Sequence, residues 1–146
     1  MARYSAGTRS AGAGSTTLPV GSLYAAAAVR AKIREIGVFN TTTTAVAINL
    51  RRLTTAGTQG ADLTESKHDS DSVAASSTAV GTHTVGPTLG DDLGYRAALG
   101  AAVGAGVIWT FGDDGLVIEP GVANGIGILV ATGTGQILDW YVVWDE

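Results

Sequence analysis

The segment ILDWYVVW at 137–144 constrains this chain more than any other, because it is apolar on both faces of a period-two pattern. Ile137, Tyr141 and Val143 fall on one face, and Leu138, Trp140, Val142 and Trp144 on the other. A strand of this kind in an antiparallel domain needs cover on both sides, from another sheet or another subunit. The segment therefore predicts a layered β domain that assembles, with Ile137, Leu138, Trp140, Tyr141 and Val143 as candidate subunit-interface residues.

The chain around it supports that class. In AVAINLRRL at 45–53, Val46, Ile48 and Leu50 alternate with Ala47, Asn49 and Arg51, which is a half-buried strand. Strands are also expected over Ala98–Ala102, Val107–Phe111, LVIEP, which follows the turn Asp113-Asp114-Gly115, and IGILVA at 126–131. Short strands and turns at this spacing predict an all-β, antiparallel two-sheet sandwich of jelly-roll type. Residues 22–36 are the one conflict. The Ala run, Ser22 and Gly37 suit a helix, whereas Val29–Arg34 alternates apolar and charged. A strand over 29–39 with a bulge near Arg34–Glu35 is the reading adopted, and 22–28 stays open between helix and strand.

Two stretches lack a core of their own. Residues 1–18 are small and polar, with Tyr4 the only large side chain before Leu18. They read as an extended arm, ordered by a partner that takes Tyr4 and pairs its carboxylates with Arg3 and Arg9. Residues 19–146 then form the sandwich domain. Residues 54–88 hold few sizeable apolar groups, and are expected to carry one or two short strands near 78–85 and otherwise lie against a neighbour.

Charge and chemistry narrow the function. Residues 1–52 hold seven basic groups and one acid, whereas 53–146 hold two basic groups and twelve acids. With a sequence pI near 5.0, this split points to attraction within or between subunits rather than to nucleic acid. There is no Cys, and only two His. The cluster ESKHDSD at 65–71 lacks the turn Gly and distal Glu of a calcium loop and reads as a solvated loop. His83 reads as an exposed or interface side chain. No nucleophile elbow, phosphate loop or dinucleotide fingerprint occurs, so no catalytic residue, cofactor or metal is expected. No apolar run reaches the roughly 20 residues of a membrane span. No leader-like segment opens the chain, so a cytoplasmic product is expected.

Several stretches resemble small structural proteins of tailed bacteriophages: IREIGVFNTT at 33–42, INLRRLTTAGT at 48–58, GYRAALGAAVGAGVIWTFGDDGLVIEPG at 94–121, and the terminal YVVWDE. The resemblance covers about residues 30–146 and leaves the arm outside. It implies a jelly-roll or TNF-like β-sandwich that forms a homotrimer in the virion, most plausibly a capsid decoration protein bound to the major capsid protein or another virion protein. A tail or fibre-tip receptor-binding module and a head–tail connector are the alternatives. The resemblance transfers no site residue.

Overall fold

The computed structural model describes all 146 residues, and every regular element in it is a strand. In chain order these are β1 (Arg3–Arg9), β2 (Gly21–Tyr24), β3 (Ala31–Asn40), β4 (Val46–Leu53), β5 (Thr58–Gln59), β6 (Ser66–Lys67) and β7 (Thr78–Val80). They continue with β8 (His83–Val85), β9 (Leu89–Leu99), β10 (Gly106–Thr110), β11 (Leu116–Ile118), β12 (Gly125–Thr132) and β13 (Leu138–Asp145). Sheet A has the order β10-β3-β13-β1-β6, with β11 also paired to β3, and sheet B the order β7-β2-β12-β4-β9. β5 and β8 make a separate two-stranded ribbon. All pairings are antiparallel.

The core lies between the two sheets, in a sandwich-like arrangement. Sheet A contributes Tyr4, Ile33, Ile36, Val38, Leu138, Trp140, Val142 and Trp144, and sheet B contributes Leu23, Val46, Ile48, Leu50, Ile126, Ile128 and Val130. Each set follows the period-two alternation of its strands. One glycine is required by this packing. A Cβ on Gly21 would lie 2.1 Å from Cε2 of Trp140, so the indole fills the space a side chain would take.

Residues 22–28 resolve as the short strand β2 followed by an irregular link, with no helix. Leu23 faces the core and pairs with Ile126, and that tertiary contact outweighs the helix propensity of the Ala run. In β3 the expected phase shift occurs at Arg34. Val143 pairs with Glu35 and the next residue, Trp144, pairs with Ile33, so Arg34 is the extra residue of a bulge. The strand expected over Ala98–Ala102 is displaced, and residues 100–102 belong to the turn toward β10: β9 starts at Leu89 and ends at Leu99. Its Gly, Asp and Arg content masks a strand that forms the edge of sheet B.

The arm expected over residues 1–18 is not free of the domain. Residues 3–9 pair with β13 along their whole length, from Arg3 opposite Asp145 to Arg9 opposite Asp139. Tyr4 is 1% exposed and packs 5.8 Å, centroid to centroid, from Trp144. A segment too polar to fold alone needs only two inward side chains, here Tyr4 and Ala6, once a sheet edge supplies its backbone partners. The following turn is tied down too, by Ser10 N–H donating to Leu138 O and Val130 N–H donating to Ser15 O.

The 54–88 segment also finds its cover within the chain. It carries β5 to β8, and it folds over the outer face of sheet B around a second apolar cluster of Tyr24, Leu53, Val80 and Leu129. His83 belongs to this region and is 5% exposed, contrary to the expected exposed or interface side chain. Burial there follows from its bond to Tyr24, which a sequence reading of an isolated His cannot supply.

Candidate assembly surface

The two outer faces of the sandwich differ. Sheet B is covered on the β2–β12 side by the 54–88 segment. On the β4–β9 side it is polar: Asn49 Nδ2 and Arg96 Nη2 both donate to Asp92 Oδ2, at 3.0 and 2.5 Å, and Gly94 N–H donates to Asp92 Oδ1. The Gly94 amide, with Arg96, holds the Asp92 carboxyl below its ordinary value.

Sheet A carries two partly exposed aromatic rings, Phe39 and Tyr141, on its outer face. Gly7, Tyr141, Gly37 and Ile108 lie side by side across four strands. In the next row Arg9, Asp139, Phe39 and Gly106 are neighbours. Each ring lies over a glycine. A Cβ on Gly37 would be 2.1 Å from Cε1 of Tyr141, and one on Gly106 would be 2.2 Å from Cδ1 of Phe39. Glycines inside a strand mark such close approaches. The two rings stack with centroids 6.4 Å apart and planes 20° apart. Tyr141 O–H donates to Glu35 Oε1 at 2.5 Å. Burial, reinforced by Glu35, pushes the Tyr141 hydroxyl up to about 12, so it stays a donor at any physiological pH.

Beside this face runs an open side of the sandwich, where β9 and β10 are the unpaired edges of their sheets. β10 carries no charge, Pro or bulge, the devices that usually protect an edge. Ile108 is 52% exposed, and Val103 and Tyr95 are also exposed there. Tyr95 meets Trp109 and Phe111 edge-on, at centroid distances of 6.3 and 5.1 Å.

The candidate residues divide accordingly. Ile137, Tyr141 and Val143 are partly exposed, with Tyr141 and Val143 on the outer face. Leu138 and Trp140 are not interface residues: they point between the sheets, at 0% and 3% exposure, because the alternation of β13 sends them into the core. Phe39, Gly37, Gly106 and Ile108 were missed, and Gly37 inside the expected strand 29–39 was the available signal.

Arg3, Tyr4 and Arg9, expected to bind a partner, are engaged at home. Arg3 donates from Nε and Nη2 to the two carboxylate oxygens of Asp145, at 2.7 and 3.1 Å, and Arg34 Nε donates to Asp145 Oδ2 at 2.6 Å. Arg9 makes the same fork with Asp139. Tyr4 O–H donates to Val73 O. Four of the five ion pairs join the basic first third to acids at or beyond Glu119, so four of its seven basic groups find acidic partners within the chain. In the 65–71 cluster, Lys67, His68, Asp69 and Asp71 are exposed, and no three carboxylate or imidazole groups converge.

No protein-family model, curated protein or solved structure matches this chain.

Proposed function

We propose that the protein is a non-enzymatic structural component of a tailed-phage virion, a homotrimeric capsid decoration protein that stabilises the head lattice from its outer surface. The sequence resemblance supplies the virion setting, and the partly exposed aromatic outer face of sheet A, with the exposed Ile108 beside it, is the observation that carries assembly. A jelly-roll connectivity is supported by the strand orders β1-β13-β3-β10 and β2-β12-β4-β9, with the chain crossing from sheet to sheet at most connections.

The size of the face favours a ring over a face-to-face pair. Four strands about 4.8 Å apart and about 23 Å long offer roughly 400 Å² of flat area. A stable interface takes about 800 Å² from each partner. The sheet A face therefore needs a second patch, and the exposed β9–β10 side supplies one. A contact between two different patches is heterologous, and it closes as a ring where its rotation is a whole fraction of a turn, as a trimer requires.

Native mass spectrometry of the purified protein tests assembly: a trimer is expected, and a stable monomer at micromolar concentration rejects it. Quantitative mass spectrometry of intact particles tests the role. Hundreds of copies per particle mean decoration, and a few to a few tens mean a tail tip or connector.

A further inference from the structure

Within the 54–88 segment, β7 is hydrogen-bonded to β2 as a strand of sheet B, whereas the β5–β8 ribbon is tied to that sheet by one buried side-chain pair. His83 Nε2 lies 3.1 Å from the Tyr24 hydroxyl, and this is the one side-chain hydrogen bond from β8 to sheet B. The ring is edge-tilted to Tyr24, with centroids 6.0 Å apart. Around it the ribbon is weakly built: β5 and β8 pair at only two positions, with a register shift between them. Beside it lies the apolar cluster of Tyr24, Leu53, Val80 and Leu129, against which Ala56, two residues before β5, is packed.

The surroundings suit a neutral imidazole and not a cation. With Nε2–H donating to the Tyr24 oxygen, Tyr24 O–H can donate to Ala56 O at 3.4 Å, and Nδ1 is left as a bare lone pair. Nδ1 is buried and has no protein partner. Protonation would place a second N–H there with no protein group to accept it. Tyr24 of β2 is the titratable group in contact with the ring, and Gln59 of β5 stands opposite His83 in the ribbon. On the remaining side the 11–20 turn contributes only uncharged residues to a shared pocket of about 210 Å³. No carboxylate compensates the charge: burial alone displaces the His83 pKa, downward.

We infer that His83 is an acid-release latch, whose protonation frees the β5–β8 ribbon from the outer face of sheet B and uncovers the Tyr24–Leu129 apolar patch. The latch lies on the face opposite the proposed self-interface and does not depend on the assembly reading. The sign follows from linkage. The folded value lies below the ordinary value near 6.5, so the opened form binds the extra proton. Local opening then rises by up to about tenfold per pH unit as pH falls below about 6.5, until the folded value is reached.

Hydrogen exchange of the full-length protein tests this, with intrinsic rates removed, on amides 56–60 and 82–86 from about pH 7.5 to about pH 5. Wild type is expected to lose protection there as pH falls, with the core strands unchanged, and His83→Gln to show a pH-independent ribbon. Wild-type protection that does not change with pH overturns the proposal, as does the same pH profile in His83→Gln. If that variant does not fold, NMR titration of the wild-type ring decides. A His83 midpoint below the ordinary histidine value supports the latch, and one at or above it overturns it.

Discussion

Gly21→Ala and Gly37→Ala place the same methyl group against an aromatic ring, one in the core and one on the outer face of sheet A. On Gly21 the new Cβ would sit 2.1, 2.2 and 2.6 Å from Cε2, Cζ2 and Cδ2 of Trp140. The indole would have to retreat by more than 1 Å, roughly, to restore normal contact. It has nowhere to go, because the void lined by Trp140, Ile33, Ile36 and Ile128 measures only about 10 Å³. Overpacking of this kind costs about 1–3 kcal/mol, and the stiffer unfolded chain offsets about 0.4–1 kcal/mol. A net loss of about 1–2 kcal/mol corresponds to a fall in Tm of roughly 3–8 °C for a domain of this size. On Gly37 the clash is with the partly exposed ring of Tyr141, at 2.1 Å from Cε1, and that ring can swing outward. It then leaves the stack with Phe39 and the bond to Glu35, and it roughens the flat face. Gly37→Ala is therefore expected to lose about 1 kcal/mol or less while abolishing the proposed trimer, whereas Gly21→Ala melts earlier yet keeps that assembly. Thermal melts at fixed protomer concentration, beside native mass spectrometry, read both effects. Wild-type stability in Gly21→Ala would refute the packing argument, and full trimer formation by Gly37→Ala would refute the assignment of the face.

Asp145→Asn is expected to destabilise by about 2–3 kcal/mol, less than for a fully buried pair because Arg3 is half exposed. The hydrogen bonds from Arg3, together with Arg34, hold the Asp145 carboxyl below its ordinary value of 3.8. Its contribution is present above that value and disappears as pH falls through the folded one, so urea midpoints of variant and wild type should converge between about pH 5 and pH 2. A constant gap would contradict the ion-pair account. Glu146→Ala removes the carboxylate that accepts the backbone N–H groups of Ser76 and Ser77 and Nε1–H of Trp144, and limited proteolysis should cut within 66–77 faster at nearly unchanged Tm. Unaltered cutting would show that the segment is held by other contacts. Deleting residues 2–9 strips β1 from β13 and uncovers Trp144, so insoluble or molten protein is expected. A soluble truncation with a cooperative melt would show that β1 is detachable after all.

Much of the sheet structure was legible because it depends on local alternation. Val46, Ile48 and Leu50 on one face of β4, and Leu138, Trp140, Val142 and Trp144 on one face of β13, are core residues in the order their spacing implies. The bulge at Arg34 was readable too, as a break in that alternation. The candidate surface was legible in part. Tyr141 and Val143 could be placed on a second apolar face, but Leu138 and Trp140 could not be separated from them, since both faces of the segment are apolar and the sequence does not say which one meets the core. Phe39 and Ile108 join Tyr141 only through the pairing of β3 with β13 and β10, a register that no local pattern encodes.

The sequence by itself determined the class: period-two apolar patterning and glycine-marked turns lead to antiparallel sheets. Only the tertiary structure decided what its polar, coreless stretches do. Residues 3–9 and 54–88 carry too little apolar surface to specify a place alone, so their positions follow from what other strands leave open. β13 offers an unpaired edge that β1 fills, and sheet B offers a patch around Leu129 onto which Ala56 of the 54–88 segment packs. The basic first third and the acidic remainder likewise look like two separate surfaces in sequence. In the folded chain they meet, because β1 and β3 flank β13, which ends on Asp145.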